Sequence, residues 1–246
     1  MQLSWAAVAG AERYEVDRAV GAGSFSTVAT VTAATYTDTA LVAETSYKFR
    51  VRALRGTEQG PYSTEATALT GDRPVVQVTA DITSNTTWTN TNVYLLTKII
   101  SVANGATLTI QAGTKIIGGT ITTGQAPPVT ALMVLRGSRL NAVGTASQPI
   151  VFTSSAAAGA RAPGDWGGLI LVGNARSNRT GRTVVEGPAP ADTVSWNGGN
   201  LDNDNSGEIV YTRVEFAGAA AILNVELNSY SMYAVGSNTR FEYNQA

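Results

Sequence analysis

The sequence predicts an all-β chain of two domains, an antiparallel β-sandwich followed by a parallel β-solenoid. In about the first seventy residues, short strands with alternating apolar and polar residues follow one another between turns. After a seam near residues 72–74, a strand-and-turn unit rich in Gly, Thr and Asn comes back several times. We therefore expect a sandwich at 1–71, a linker at 72–76 and a solenoid at 77–246.

The strands of the first domain are predicted from the alternation of apolar and polar residues, which has a period of two. Residues 47–53 form the clearest strand, with aromatic and aliphatic side chains on one face and basic side chains on the other. Residues 14–18 and 25–31 alternate in the same way, and the turn at 21–24 separates them. Short strands at this spacing predict a β-sandwich.

Five blocks of the first domain carry a resemblance to a known family, and they lie at 3–5, 14–16, 41, 45–47 and 51–53. Together they resemble a fibronectin type III domain. The resemblance implies that Tyr47 is the tyrosine-corner residue, whose hydroxyl bonds back to the chain near Leu41. It also implies that the first strand of the sandwich is missing, because the two residues before Leu3 leave no room for it. Such a module serves as a spacer or as a binding module.

The second domain contains echoes of its own sequence. Residues 105–110 are echoed by 137–142, and residues 212–216 by 239–243. A strand of three to five residues cannot bury an apolar face alone, but stacked coils give it a ladder and a shared core. At roughly 20–25 residues per coil, we expect about seven coils.

This half resembles the right-handed parallel β-helix region of large secreted bacterial surface proteins. The blocks that carry the resemblance are 87–89, 105–113, 137–154, 166–175, 186–187 and 202–207. The resemblance implies export and an extracellular or cell-surface location in a bacterium.

Composition excludes several kinds of chemistry. The chain has no Cys and no His, which removes disulfides, Ser-His-Asp and Cys-His catalysis and the commonest metal ligand. The 17 basic and 18 acidic residues nearly cancel, and no basic stripe predicts a nucleic-acid partner. No apolar run is long enough to span a membrane, so we expect no transmembrane segment.

The run 202–209 follows the first eight positions of a calcium loop, with oxygen side chains at alternate positions and Gly at the sixth. The twelfth position, which normally holds a bidentate Glu, is Arg213. A solvated turn is the competing interpretation. The candidate calcium ligands are Asp202, Asp204, Ser206 and Glu208.

Three tryptophans are candidates for stacking against sugar rings, or else for filling coils: Trp88, Trp166 and Trp196. The acids that could hydrolyse a polysaccharide are Glu186, Asp202 and Asp204, and a lyase could use Arg136 or Arg139. The Gly-His-Gly and Arg-Ile-Lys blocks of the β-helical hydrolases do not occur. The sequence therefore predicts that the chain is not an enzyme and has no cofactor apart from structural calcium.

The expected function is structural or adhesive, as part of an extracellular surface assembly or filament. Open ends on both domains predict self-association by head-to-tail contacts, or binding to other cell-surface components. The alternative is a protein that binds or degrades polysaccharides, as a lyase or hydrolase.

Overall fold

The computed structural model describes residues 1–119, 129–178, 183–185, 196–222 and 225–246. The chain divides into two compact units, Met1–Arg73 and Pro74–Ala246. All regular elements of the described residues are β-strands, which confirms the all-β prediction. Within these residues no helix has the length and apolar character that crossing a membrane requires.

The first unit contains two antiparallel sheets. Its strands are β1 (Gln2–Ser4), β2 (Arg13–Val20), β3 (Ser26–Val31), β4 (Thr35–Thr37), β5 (Ser46–Arg55), β6 (Glu58–Tyr62) and β7 (Ala66–Leu69). Strand β1 pairs with β4. The larger sheet has the order β3-β2-β5-β6, and β7 pairs with the other half of β5.

The core of the first unit lies between these sheets and contains Val16, Tyr47 and Phe49, all at least 97% buried. The hydroxyl oxygen of Tyr47 accepts a hydrogen bond of 2.9 Å from the backbone N–H of Val42. This bond ties the start of β5 to the chain five residues earlier, next to the expected position at Leu41.

The outer face of the larger sheet carries a network around a buried acid. The carboxylate of Asp17 accepts hydrogen bonds from Thr27 Oγ1 at 2.9 Å and from Arg50 at 2.9 and 3.1 Å. The Arg50 guanidinium lies 4.3 Å from the ring centre of Phe25 and 3.8 Å from that of Tyr62. Burial raises the pKa of Asp17, but the hydrogen bonds outweigh burial and leave the pKa below its ordinary value.

The second unit is a parallel β-helix, which confirms that part of the prediction. Three parallel sheets run along it, and each coil after the first visits them in the order I, II, III. The first coil meets sheet II only at the bridge between Ile82 and Val102. Sheet I contains β8 (Val75–Val78), β10 (Val93–Leu96), β13 (Lys115–Gly118), β16 (Ile150–Ser154) and β21 (Thr212–Val214). Sheet II contains β11 (Ile99–Val102), β14 (Ala131–Val134), β17 (Leu169–Val172) and β24 (Tyr230–Tyr233). Sheet III contains β9 (Thr86–Trp88), β12 (Thr107–Ile110), β15 (Arg139–Val143), β20 (Gly207–Val210) and β25 (Arg240–Glu242).

The described strands stack into five coils, not about seven, because later coils contain long insertions beside sheet II. The insertions cover 155–168, 173–206 and 215–229. Two of them contain antiparallel hairpins, β18 (Thr183–Val184) with β19 (Trp196–Asn197) and β22 (Ala220–Ile222) with β23 (Val225–Glu226). The helix also begins earlier than predicted, since β8 occupies two residues of the expected linker 72–76.

Inward side chains of successive coils lie in columns. One column of sheet I contains Tyr94, Ile116, Phe152 and Val214, all in one continuous core. The outer face of sheet II is apolar too, with Met133, Ile170 and Val172 at least 98% buried. They form a second core with Val129, which precedes β14, and with Val185, Ala219 and Leu227 of the insertions. Strands β14 and β17 are therefore buried on both faces.

Candidate functional site

The outer face of sheet III differs from that of sheet II because most of its outward side chains are polar, Val143 being an exposed apolar exception. Its inward neighbours, such as Leu108, Leu140 and Ile209, are fully buried and fix which side chains point out. The ladder then aligns one outward residue from each coil. This polar row consists of Thr87, Thr109, Asn141, Glu208 and Arg240.

A basic side chain stands beside the polar row. Arg139 is aligned with Thr107 in the next column and lies two residues before Asn141 on β15. It is exposed, and within the described part of the chain its guanidinium forms no ion pair. Arg136, the other basic candidate, lies in the turn that precedes β15 and not on the face.

The far end of the polar row is a charged cluster. Arg240 Nη1 lies 3.1 Å from Glu208 Oε2, and Arg240 Nη2 lies 2.9 Å from Glu242 Oε2. Hydrogen bonds to Glu242 and then Glu208 raise the pKa of the Arg240 guanidinium above its ordinary value. One cation thus holds two carboxylates on the surface of sheet III.

Two of the predicted calcium ligands already bind other groups. The Asp202 carboxylate is paired with the guanidinium of Arg176, whose hydrogen bonds hold the pKa of Asp202 below its ordinary value. Asp204 Oδ2 accepts the backbone N–H of Asn174 at 3.0 Å. Both contacts join the two ends of the insertion 173–206.

The other two predicted ligands lie apart from this pair. Ser206 is 2% exposed, and its backbone N–H donates to Thr239 Oγ1 at 2.8 Å. Glu208 belongs to the polar row. No three acidic side chains converge within the described residues. The run 202–209 therefore does not bring together a calcium-binding set, and Glu186 lies outside the described residues.

Two of the three candidate tryptophans are core residues. Trp88 is 4% exposed and stacks on Tyr94 with ring centres 4.6 Å apart. Trp166 is fully buried, and its Nε1–H donates to the backbone oxygen of Glu215 at 2.8 Å. Neither offers a ring face to a sugar. Trp196 pairs with Val184 through the backbone, and its side chain lies outside the described residues.

Sequence reasoning missed the polar row, although its signal was present. The echo between 105–110 and 137–142 places Thr109 and Asn141 at equivalent positions, between buried neighbours. The echo predicts coils, and its alternation of apolar and polar residues also indicates which side chains point outward on sheet III.

Comparison with known proteins assigns the second unit to a family. Residues 80–246 match the model of the pectate-lyase-like β-helix domain, whereas no curated protein and no solved structure matches. The match overturns the prediction that the chain is not an enzyme, because it relates the β-helix to a fold class named after a polysaccharide lyase. Since the matched range covers more than half of the sequence, the chain belongs to the pectate-lyase-like β-helix domain family.

Proposed function

We propose that the chain is an extracellular polysaccharide-active protein and that the polymer lies along the outer face of sheet III. The observation that carries this proposal is the polar row on a β-helix of the pectate-lyase-like family. The family favours the alternative of a protein that binds or degrades polysaccharides. No comparison supports a structural or adhesive role.

The geometry of the row suits an extended polymer. Neighbouring strands lie about 4.8 Å apart, so five strands present a row about 19 Å long. Hydroxyl, amide, carboxylate and guanidinium groups along it can donate to and accept from sugar hydroxyls. Sheet II offers no such surface, because the outer face of its middle strands, β14 and β17, is apolar and covered.

Among polysaccharide reactions, the described residues favour a lyase acting on an acidic sugar. A guanidinium binds a carboxylate through two parallel hydrogen bonds, and Arg139 is an exposed guanidinium on this face. Elimination passes the proton of the neighbouring C–H to a water-derived base and breaks the C–O bond to the leaving sugar, whose oxygen takes a proton from water. Neutralising the acid group makes that C–H easier to deprotonate. Hydrolysis needs two carboxylates placed on either side of the bond. The described carboxylates at the end of the row, Glu208 and Glu242, are both held by Arg240.

For the first unit we propose a fibronectin type III-like spacer. The pairing of β1 with β4, the β3-β2-β5-β6 order and the Tyr47 hydrogen bond support this assignment. We also propose that the β-helix is right-handed, since crossovers between parallel strands almost always are.

The proposal is tested by incubating the protein with acidic and neutral polysaccharides. Binding, new reducing ends and the ultraviolet absorbance of unsaturated products are measured together. We expect action on acidic polymers, reduced about tenfold or more in Arg139→Ala. Arg55→Ala, which removes an exposed arginine from the other unit, is the matched control.

Two results contradict the proposal in different ways. If the unmodified chain neither binds nor cleaves any polymer of the panel, the polysaccharide function is wrong. If it acts on a polymer and Arg139→Ala acts equally well, the function stands but the assigned face is wrong. Reducing ends without ultraviolet absorbance indicate a hydrolase.

A further inference from the structure

Strand β3 is the outermost strand of the larger sheet in the first unit. Its one strand partner within residues 1–73, all of which the structure describes, is β2. The backbone N–H and C=O groups on its other side therefore have no ladder to join. Such an edge is a template for pairing with another strand.

The two edges of this sheet are built differently. The β6/β7 edge is broken into two short strands and carries Glu58, Pro61 and Glu65, which are features that discourage further pairing. The β3 edge lies inside the run 19–37, which contains no charged residue and no proline. The first edge is protected by breaks, charges and a proline, whereas the second has only a bulge to limit strand addition.

A bulge limits which part of β3 can pair. Val16 is opposite Ala29, whereas Asp17 is opposite Thr27, so Val28 is the extra residue. The half beyond the bulge, Ala29–Val31, continues the regular register. Thr30 in this half is exposed, and so is the following Thr32.

We propose that two copies of this chain pair through β3, antiparallel and about a two-fold axis near Thr30. In such a contact each residue meets its own copy or a near neighbour, so any charge would face a like charge. The uncharged run removes that repulsion, and Thr30 opposite Thr30 of a second copy is a favourable cross-strand pair.

The pairing is isologous, so it closes as a dimer and does not propagate. This differs from the head-to-tail filament expected from the sequence. The contact is short, so the dimer forms and dissociates with concentration. It is independent of the polysaccharide function and stands or falls separately.

Single-cysteine variants test the geometry, because the chain has no cysteine of its own. Under mild oxidation we expect Thr30→Cys, at the two-fold axis, to give a covalent dimer, because its two Cα atoms lie within disulfide reach. Thr32→Cys lies about 13 Å from its copy in this register and should not cross-link. Thr64→Cys, exposed beside the protected edge, is the control and stays monomeric. Equal cross-linking of all three variants, or cross-linking of none, overturns the proposal.

A charge variant tests the same contact without oxidation. We expect analytical ultracentrifugation of the unmodified chain to show a monomer–dimer equilibrium, and Thr30→Lys to shift it to monomer at every concentration. Thr64→Lys should dimerise like the unmodified chain, and thermal unfolding is used to check that both variants are folded. A monomeric unmodified chain, an unchanged dimer in Thr30→Lys, or species that keep growing beyond the dimer contradicts the proposal.

Discussion

Sheets II and III share strand geometry, yet their outer faces have opposite characters. The outer face of sheet II presents Met133 and Ile170 and is covered by insertions, whereas that of sheet III presents Asn141 and Glu208 and stays open. The ladder fixes the spacing in both. The difference teaches that outward residues decide whether a side of a β-helix becomes a second core or a surface for ligands.

The largest expected effect comes from placing a charge in the covered face. Ile170→Asp should lower the free energy of unfolding by about 5 kcal/mol, because the carboxylate is buried without a partner. Asn141→Asp, on the open face, is the matched control and should change it by less than about 0.5 kcal/mol. Denaturant unfolding measures the free energy of unfolding of both variants. Similar losses in the two would contradict the distinction between a covered face on sheet II and an open face on sheet III.

A second test asks whether the covered face is as well packed as the inner core. Ile170→Ala on the outside of sheet II and Leu140→Ala on the inside of sheet III should each cost about 3 kcal/mol, since both side chains are fully buried. Chemical denaturation of the two variants gives the comparison. A loss below about 1 kcal/mol for Ile170→Ala alone would mean that the insertions cover the face loosely.

The first unit sharpens the comparison, because its outer face is polar but partly buried. The side chain of Asp17 is 4% exposed and that of Arg50 is 30% exposed. Asp17→Asn should therefore cost about 2 kcal/mol, discounted for the solvent that reaches Arg50. If Asp17→Asn leaves the midpoint of thermal unfolding unchanged, the network does not stabilise the folded state. Glu65→Gln, at an exposed ion pair, is the control.

The same network predicts how stability depends on pH. The pKa of Asp17 is lowered in the folded state, so its contribution is present above the unfolded value near 3.8. It is lost as pH falls through the lower folded value. Asp17→Asn should therefore narrow its stability gap to the unmodified chain below pH 3.8, as unfolding at several pH values will show. A constant gap would contradict this assignment.

The smallest effect is expected on the open face. Thr109→Ala should change the free energy of unfolding by no more than about 0.5 kcal/mol, because Thr109 lies on the solvent side of β12. It should weaken polysaccharide binding measurably. Unchanged binding with unchanged stability would remove Thr109 from the polymer's path.

The coil architecture could be predicted from sequence because the echo between 105–110 and 137–142 marks two stacked strands of sheet III. The echo between 212–216 and 239–243 does not mark stacking, since β21 belongs to sheet I and β25 to sheet III. The apolar runs at 131–135 and 168–172 also signalled strands buried on both faces, since they do not alternate. Their covering could not be predicted, because the residues that contact them are distant in sequence. Of the two interpretations of Trp88 and Trp166, burial supports coil filling over sugar stacking. The sequence left both open because an indole suits a core and a sugar equally well.

The run 202–209 shows where local spacing misleads. Oxygen side chains at alternate positions bind one ion only if the backbone curls around it. Here Gly207 starts strand β20, so the chain extends and its acids separate. Neighbouring strands, which a one-dimensional pattern does not show, impose that extension.

The insertion at 173–206 also bears on engineering. Contacts of Asp202 and Asp204 join its two ends, so β20, the strand that follows, pairs with β15 in the regular register of sheet III. By contrast, one residue, Tyr211, separates β20 from β21 at the corner between sheets III and I. Foreign peptides or whole modules should therefore be inserted between Arg176 and Asp202, because the β-helix already accommodates a long insertion there without a change in the spacing of its coils.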